Sequence, residues 1–271
     1  YKRYWWREQL KRSWISKNVD AGFVAGTASR AYLMDLGLPG ERIWERYDVV
    51  DNHYFASRVR SIRKYARTEH EKAGLPDNYF LYVGRFSPEK NLMRLLQAYR
   101  LYKDSSHAPW GLVLVGDGPQ REELQSIAKW EGLDDIVWPG FRYLQELPLY
   151  YALAGCFVLP SVREPWGLVV NEAMASGLPI LVSSRCGCSL DLVRDGSNGF
   201  TFAPYNPSQL AELMTEVSNL SSARLDELGR ASAEIIAEFT PEHWAQNLFQ
   251  AISSVTGRQD HGKTELVSAA S

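Results

Sequence analysis

Between residues 79 and 202 the sequence repeats one alternation: a run of three to five mostly apolar residues, a short turn, then a longer stretch with helical spacing. The apolar runs are Tyr79–Val83, Gly111–Val115, 136–138, Cys156–Leu159, Ile180–Ser183 and 200–202. Runs this short, each followed by a helix, make βα units, and consecutive βα units build a parallel sheet. The stretches between them carry helix-start chemistry. Ser87 precedes Pro88, Asn206 precedes Pro207 with Gln209 three positions after the cap, and Thr240 precedes Pro241. A side-chain oxygen can cap the first amides, and proline fits a first turn because its missing N–H is not needed there. The pattern predicts helices over about 88–103, 119–130, 144–154 and 167–176. The expected fold class is therefore α/β, a Rossmann-like parallel sheet with helices on both faces. Such sheets take ligands outside the carboxyl ends of their strands, so the loops after Val83, Val115, Trp138 and Leu159 should share one rim.

Before the alternation begins, residues 21–26 read as a short buried strand and 29–36 as a helix stopped by Gly37. Residues 1–18 mix basic and aromatic side chains. They read as a helix packed on a neighbouring domain through its tryptophans; the second reading is a helix lying on a membrane surface. Residues 257–271 read as a disordered tail. A net charge of −2 gives no electrostatic case for a nucleic-acid partner. Three cysteines, Cys156, Cys186 and Cys188, are an odd number and too few for a disulfide framework, which points to a reducing, cytoplasmic setting. Cys186-Gly187-Cys188 lacks the two-residue gap of zinc or thioredoxin motifs, so these cysteines are expected to be packing residues. No run approaches the ~20 apolar residues of a membrane helix. The chain starts at Tyr1, which reads as an excerpt from a longer polypeptide.

Two stretches on the expected rim carry chemistry. After Val83 come Arg85 and, five positions on, Lys90. Two cations beside a helix start form an anion site and would balance a diphosphate diester. A charge-assisted hydrogen bond contributes roughly 1.5–3 kcal/mol, so losing either cation should weaken binding about tenfold or more. After Leu159, Glu164 lies before a helix and Glu172 on it, with Gly167 between them. Eight positions apart, they are not intrahelical neighbours; they straddle the helix start. A ligand lying across that start could give phosphates to the amides near 167–169 and a diol to each carboxylate, as a sugar nucleotide would.

The run EPWGLVVNEAMASGLPI is similar to the glutamate-x7-glutamate motif of retaining family-4 glycosyltransferases of the GT-B fold. The similarity extends through YVGRFSPEKNL, LVGDGP, PSVREPWG and DGSNGF, over roughly residues 48–256. The resemblance implies transfer of a sugar from a nucleotide-diphosphate donor to an unidentified acceptor, with retention, through an oxocarbenium-like transition state. Gly84, Arg85 and Lys90 would hold the diphosphate. Glu164 would bind sugar hydroxyls near the reacting centre and Glu172 the ribose. The amides of Gly167, Leu168 and Val169 would face phosphate and sugar, and Gly140, Phe141 and Arg142 would frame the base. Glu164, Arg85 and Lys90 would be the catalytic set. No metal and no cofactor is implied, and the sequence has no Asp-x-Asp triplet, HExxH or zinc-spaced Cys/His cluster. Polysaccharide or glycoconjugate synthesis at the inner face of a membrane is the setting the family implies.

The resemblance also implies a division of the chain. Residues 1–48 would be a remnant of the N-terminal, acceptor-side domain, 49–240 the donor domain, and 241–256 a crossover helix. The five histidines, His53, His70, His107, His243 and His261, match none of the family's motif positions, and a paired glycine is reduced to Gly187, with Asp191 where a glutamate is commoner. A binding module without catalysis, or an incomplete fragment, is therefore the alternative reading. A sugar-nucleotide epimerase is a further one, lacking any acid–base pair beyond the two glutamates. A dehydrogenase fails, because Gly116-Asp117-Gly118 is followed by Pro119-Gln120-Arg121 and not by the rest of a Gly-x-Gly-x-x-Gly turn.

Overall fold

The computed structural model describes residues 4–257; apart from Gly257, the expected tail lies outside them. The described residues form two compact units, one of residues 4–47 and 242–257, the other of residues 48–241. The smaller unit holds α1 (Trp5–Asn18), β1 (Gly22–Phe23), α2 (Thr27–Asp35) and β2 (Ile43–Trp44). Strands β1 and β2 pair in parallel. Helix α1 carries no buried residue, and Trp5, Trp6, Leu10 and Trp14 are all more than half exposed.

The larger unit begins with α3 (Asn52–Arg63) and α4 (Ala66–Ala73), neither of them legible in the apolar pattern. The alternation follows: β3 (Tyr79–Val83), α5 (Leu92–Ser105), β4 (Gly111–Val115), α6 (Arg121–Trp130), β5 (Ile136–Gly140), α7 (Leu147–Leu153) and β6 (Cys156–Leu159). It continues with α8 (Leu168–Ala175), β7 (Ile180–Ser183), α9 (Ser189–Leu192), β8 (Gly199–Phe202), α10 (Pro207–Ser218) and α11 (Ser222–Ile236). The sheet has six strands in the order β5-β4-β3-β6-β7-β8, every neighbouring pair parallel. Strands β3, β4, β6 and β7 are buried along their whole length, as strands covered on both faces must be. One helical layer joins α5 to α6 and α10, the other joins α3 to α7 and α8, and α8 to α11. The expected α/β class is the observed one.

Helix boundaries differ where backbone chemistry intervenes. The helix expected from Ser87–Pro88 is a 3-10 turn, Pro88–Lys90, separated from α5 by Asn91 in the left-handed region (φ 61°). Ser87 does not cap it; its hydroxyl donates to Glu89 Oε1 at 2.8 Å. Helix α6 starts two residues later than Pro119, and α7 is trimmed to Leu147–Leu153. Asn206 does cap α10, accepting from Gln209 N at 3.1 Å, but Gln209 Oε1 accepts from Ala203 N and not from the cap. Helix α12 (Pro241–Thr256) lies with the smaller unit from Glu242 onward. There Trp244 packs against Phe23 at 5.7 Å, and Asn247 donates to Glu45 O at 2.9 Å.

Candidate active site

The chain winds outward from β3 to β4 and β5, then returns to place β6 on the other side of β3. The loops leaving β3 and β6 therefore diverge, and the crevice between them is where a doubly wound sheet binds its ligand. Residues 84–91 form one wall and residues 160–167 the other.

The loops after β3, β4 and β5 are laced together by their backbones. Gly84 N donates to Val115 O at 3.0 Å, Phe86 N to Asp117 O at 2.8 Å, and Gly116 N to Gly140 O at 2.9 Å. Only glycine permits this at position 116, where φ is 139° and an added Cβ would stand 1.9 Å from Gly84 O. The loops enclose a cavity of about 550 Å³ lined by Gly84, Arg85, Gly116, Phe141, Arg142 and others. Arg85 and Phe141 are exposed on its rim. Arg142 is less free than expected: its Nε donates to the Tyr150 hydroxyl at 2.8 Å, and Glu146 Oε1 lies 3.7 Å away.

Across the crevice, Lys90 closes the 3-10 turn and its ammonium pairs with Glu164 Oε2. Of the two expected cations, Lys90 thus already meets a carboxylate, while Arg85 is exposed. Both side chains are largely shielded, 20% and 11% exposed. Ser161 Oγ donates to the same oxygen at 3.3 Å. Sequence reading missed Asn91, whose amide donates to Pro160 O (3.0 Å) and Pro204 O (2.8 Å) and so ties the Lys90 turn to the Glu164 loop. Val162 N donates to Glu89 O at 2.9 Å, a second tie between the same two loops.

The Glu164 loop is also held from the β7 side. Gly187 N donates to Glu164 O at 2.9 Å, and a Cβ at Gly187 would lie 1.8 Å from Pro165 O. Here is the physical use of the one glycine kept in the Cys-Gly-Cys segment. Both flanking cysteines are buried and unbridged, as expected of packing residues. Burial raises both thiols, Cys186 to about 12, which leaves them inert as nucleophiles.

Gly167 precedes α8 with φ 111°, a left-handed conformation that turns the chain into the helix. The amides of Leu168 and Val169 belong to the first turn, where N–H groups have no carbonyl of their own helix to reach. A helix start carries a partial positive charge. Further along α8, Glu172 Oε2 accepts from the Tyr151 hydroxyl at 2.7 Å. Burial raises the Glu172 carboxyl to about 7, against the opposing pull of that hydrogen bond. Next to it, Asn171 accepts from Trp166 Nε1 at 2.9 Å and donates to Asp48 O at 3.0 Å, pinning the segment that leads into the helix. The expected site residues thus lie on the loops after β3, β5 and β6 and at the start of α8, with Gly140 closing β5 and Glu172 in the second turn of α8. Among the described residues, no three His, Cys, Asp or Glu side chains gather as a metal site would require.

Comparison with known proteins converges on one family. The profile described as Glycosyl transferases group 1 matches residues 66–233. The sulfoquinovosyl transferase SQD2 of Arabidopsis thaliana is 31% identical over 195 residues, covering 71% of this chain and 36% of the relative. The GDP-mannose-dependent alpha-mannosyltransferase of Mycobacterium tuberculosis is 32% identical over 223 residues, covering 80% and 54%. The chain therefore spans about half or less of the length of these relatives. Among solved structures, Anabaena HepE in complex with UDP superposes with a TM-score of 0.77 at 20% identity, covering 93% of this chain and 69% of that one. Sucrose-phosphate synthase from Thermosynechococcus elongatus gives 0.74 at 24%, covering 94% and 63%. At these identities the likeness is one of fold, and the fold is the GT-B type.

Proposed function

We propose that this chain, which belongs to the glycosyl transferases group 1 family, supplies the donor side of a retaining, metal-independent sugar transfer of the family-4 kind. The donor is a nucleotide-diphosphate sugar, and the transferred group is a hexose type. One observation carries the reading: the β3/β6 crevice brings Lys90, Glu164 and the start of α8 together, with Arg85 and the 550 Å³ cavity on one side and Glu172 on the other. The base would sit in the cavity beside Phe141 and Arg142. The diphosphate would cross the mouth of α8, met by Arg85, Lys90 and the amides of 167–169, with Gly84 allowing close approach. Glu172 would take the ribose and Glu164 the sugar.

Transfer on this reading breaks the bond between the sugar's C1 and the terminal phosphate oxygen, while the acceptor oxygen bonds to C1 from the same face. The acceptor's proton passes to the departing phosphate. Negative charge gathers on the diphosphate and positive charge on the sugar ring. Fixed cations and a helix start stabilise the first without reorganisation; Glu164 stands by the second. Lys90 and Glu164 neutralise each other before the donor arrives, so the diphosphate and the sugar hydroxyls take over from a contact already formed. No cofactor has a part in this scheme.

Residues 1–48 are read as a remnant of the acceptor-side domain and 241–256 as its crossover helix. Helix α1 is read as a contact with an anionic membrane surface. Trp6, Leu10 and Trp14 recur every four residues on one exposed face, with Arg7 over the Trp6 ring at 5.0 Å and Lys17 beside them. Aromatic rings and cations on one helical face suit the headgroup region. No helix among the described residues is long and apolar enough to cross a membrane.

Calorimetric titration with UDP, GDP and ADP in EDTA tests the donor site. Binding of one diphosphate, weakened about tenfold or more by Arg85→Ala and by Glu172→Ala, is the expected result. A folded chain that binds none of them, or only with added metal, overturns it. Binding without turnover when the parent protein is assayed would favour the non-catalytic alternative. Sedimentation with vesicles of phosphatidylglycerol against phosphatidylcholine tests the membrane reading, which fails if the triple variant Trp6→Ala, Leu10→Ala, Trp14→Ala sediments like the parent.

A further inference from the structure

Tyr151 is fully buried on α7, its ring edge-on to Phe55 at 5.8 Å and tilted against Phe157 at 6.1 Å. The rings pack the phenol from two sides, and its one proton goes to Glu172 Oε2 at 2.7 Å. A buried tyrosine hydroxyl needs a partner, and a backbone carbonyl usually suffices. Tyr79 donates to Tyr150 O and Tyr82 to Arg85 O in this way. Tyr151 is spent instead on the outer carboxylate of α8. Among the described residues Glu172 Oε1 has no hydrogen-bond partner and is not one of the buried unpartnered atoms, so it keeps some contact with solvent.

Among the described residues, the tyrosine is the carboxylate's only hydrogen-bond partner. From α3, Arg63 donates to Ala152 O at 3.0 Å, and its charged neighbour is Asp226 on α11. The strand beneath, β6, is apolar. Among the described residues no charged group opposes or balances Glu172, and the phenol hydrogen bond is what favours the ionised form.

We propose that Tyr151 is a positioning residue of the nucleotide site: it clamps Glu172 Oε2, fixes the side chain's rotamer and presents Oε1, ionised, to the paired hydroxyls of a ribose. The inference rests on the reading of Glu172 as the ribose partner. It adds a consequence, that proton uptake by Glu172 weakens ribose recognition and that Tyr151 sets the pH at which this happens. Because burial holds the phenol well above its ordinary range, Tyr151 stays a donor throughout, and Glu172 alone titrates.

The test is affinity against pH from 5.5 to 8.5 for whichever of UDP, GDP and ADP binds most tightly, compared with its 2′,3′-dideoxy counterpart. The terminal phosphate takes up a proton in this range, so the quantity read is the ratio of the two affinities, from which the phosphate cancels. In the parent chain the ratio should rise roughly tenfold from acid to alkaline pH. Glu172→Gln should flatten it. Tyr151→Phe should keep the rise but move its midpoint to higher pH by half a unit or more. A Tyr151→Phe profile superimposed on the parent's, with Glu172→Gln flat, overturns the role of Tyr151 and leaves the ribose reading standing. A flat ratio in the parent chain overturns the ribose reading, and this inference with it. Should Tyr151→Phe not fold, the hydroxyl-bearing ring carbon of Tyr151 followed by NMR in the parent chain decides: it must shift over the pH range in which the affinity ratio rises, and a signal that does not change there overturns the role of Tyr151.

Discussion

The two walls of the crevice are held by different forces. The loops after β3, β4 and β5 are fixed backbone to backbone, with glycines at the closest approaches, and their charged or aromatic tips Arg85 and Phe141 stand in solvent. The loops after β6 and β7, with the start of α8, place charges inside: Glu164 against Lys90 and Glu172 against Tyr151. Apart from Lys90, which already meets Glu164 across the crevice, the first wall can receive a ligand with no change in its own bonding. The second must exchange contacts it already has, which makes it the selective side, since a ligand that cannot replace them leaves a shielded charge unmet.

The largest effect should come from disturbing the backbone-laced wall. Gly116→Ala forces a Cβ to within 1.9 Å of Gly84 O at φ 139°, where neither atom is the end of a flexible side chain. A cost of about 4 kcal/mol, and a midpoint of thermal unfolding lower by roughly 10 °C, is expected by scanning calorimetry. A shift under about 2 °C would mean that the lacing is not what holds these loops.

The two cations sharpen the contrast. Lys90→Ala strands Glu164 with only Ser161 for support and should cost about 2–3 kcal/mol of stability, toward the low side for a shielded pair because some solvent reaches it. Arg85→Ala removes an exposed side chain and should change stability by no more than about 0.5 kcal/mol. Adding Glu164→Gln to Lys90→Ala should recover most of the loss in urea unfolding. Equal destabilisation by Lys90→Ala and Arg85→Ala would mean that the Lys90–Glu164 contact across the crevice contributes no more than an exposed side chain does.

What the sequence revealed follows the same division. The strands were legible because an unbroken apolar run bounded by turns has few other uses. The cations and glutamates were legible as groups at loop positions. Their pairing was not: Lys90 and Glu164 lie 74 residues apart and meet only because β6 returns beside β3. Helix α3 escaped notice because only Phe55 and Val59 of its residues are buried, too few to set a period, although Asp51 caps it through Tyr54 N at 2.8 Å. Asn91 carried a signal that was passed over, being a residue type that tolerates the left-handed conformation. Tyr151 carried none, since any aromatic in an apolar helix reads as core.

A smaller effect than that of Lys90 belongs to Glu172, and its sign separates the two glutamates. Burial raises this carboxyl from the ordinary range to about 7. A group whose folded value lies above its unfolded one contributes stability that is complete below the unfolded value and is lost as pH rises through the folded one. Between about pH 5 and 8, then, Glu172 should remove roughly 1–2 kcal/mol, less than the full shift implies because the side chain is only half-buried. Other groups titrate over the same range, so the measurement is the difference between the parent and Glu172→Gln in urea unfolding at each pH. The variant should gain on the parent steadily from pH 5 to 8. Glu164→Gln should show no such gain, because it breaks an ion pair and leaves Lys90 unmet at every pH in the range. If both substitutions traced the same curve, the second wall would hold two carboxylates of one kind, and the division of labour between a sugar-side glutamate met by a cation and a ribose-side glutamate met by a phenol would fall.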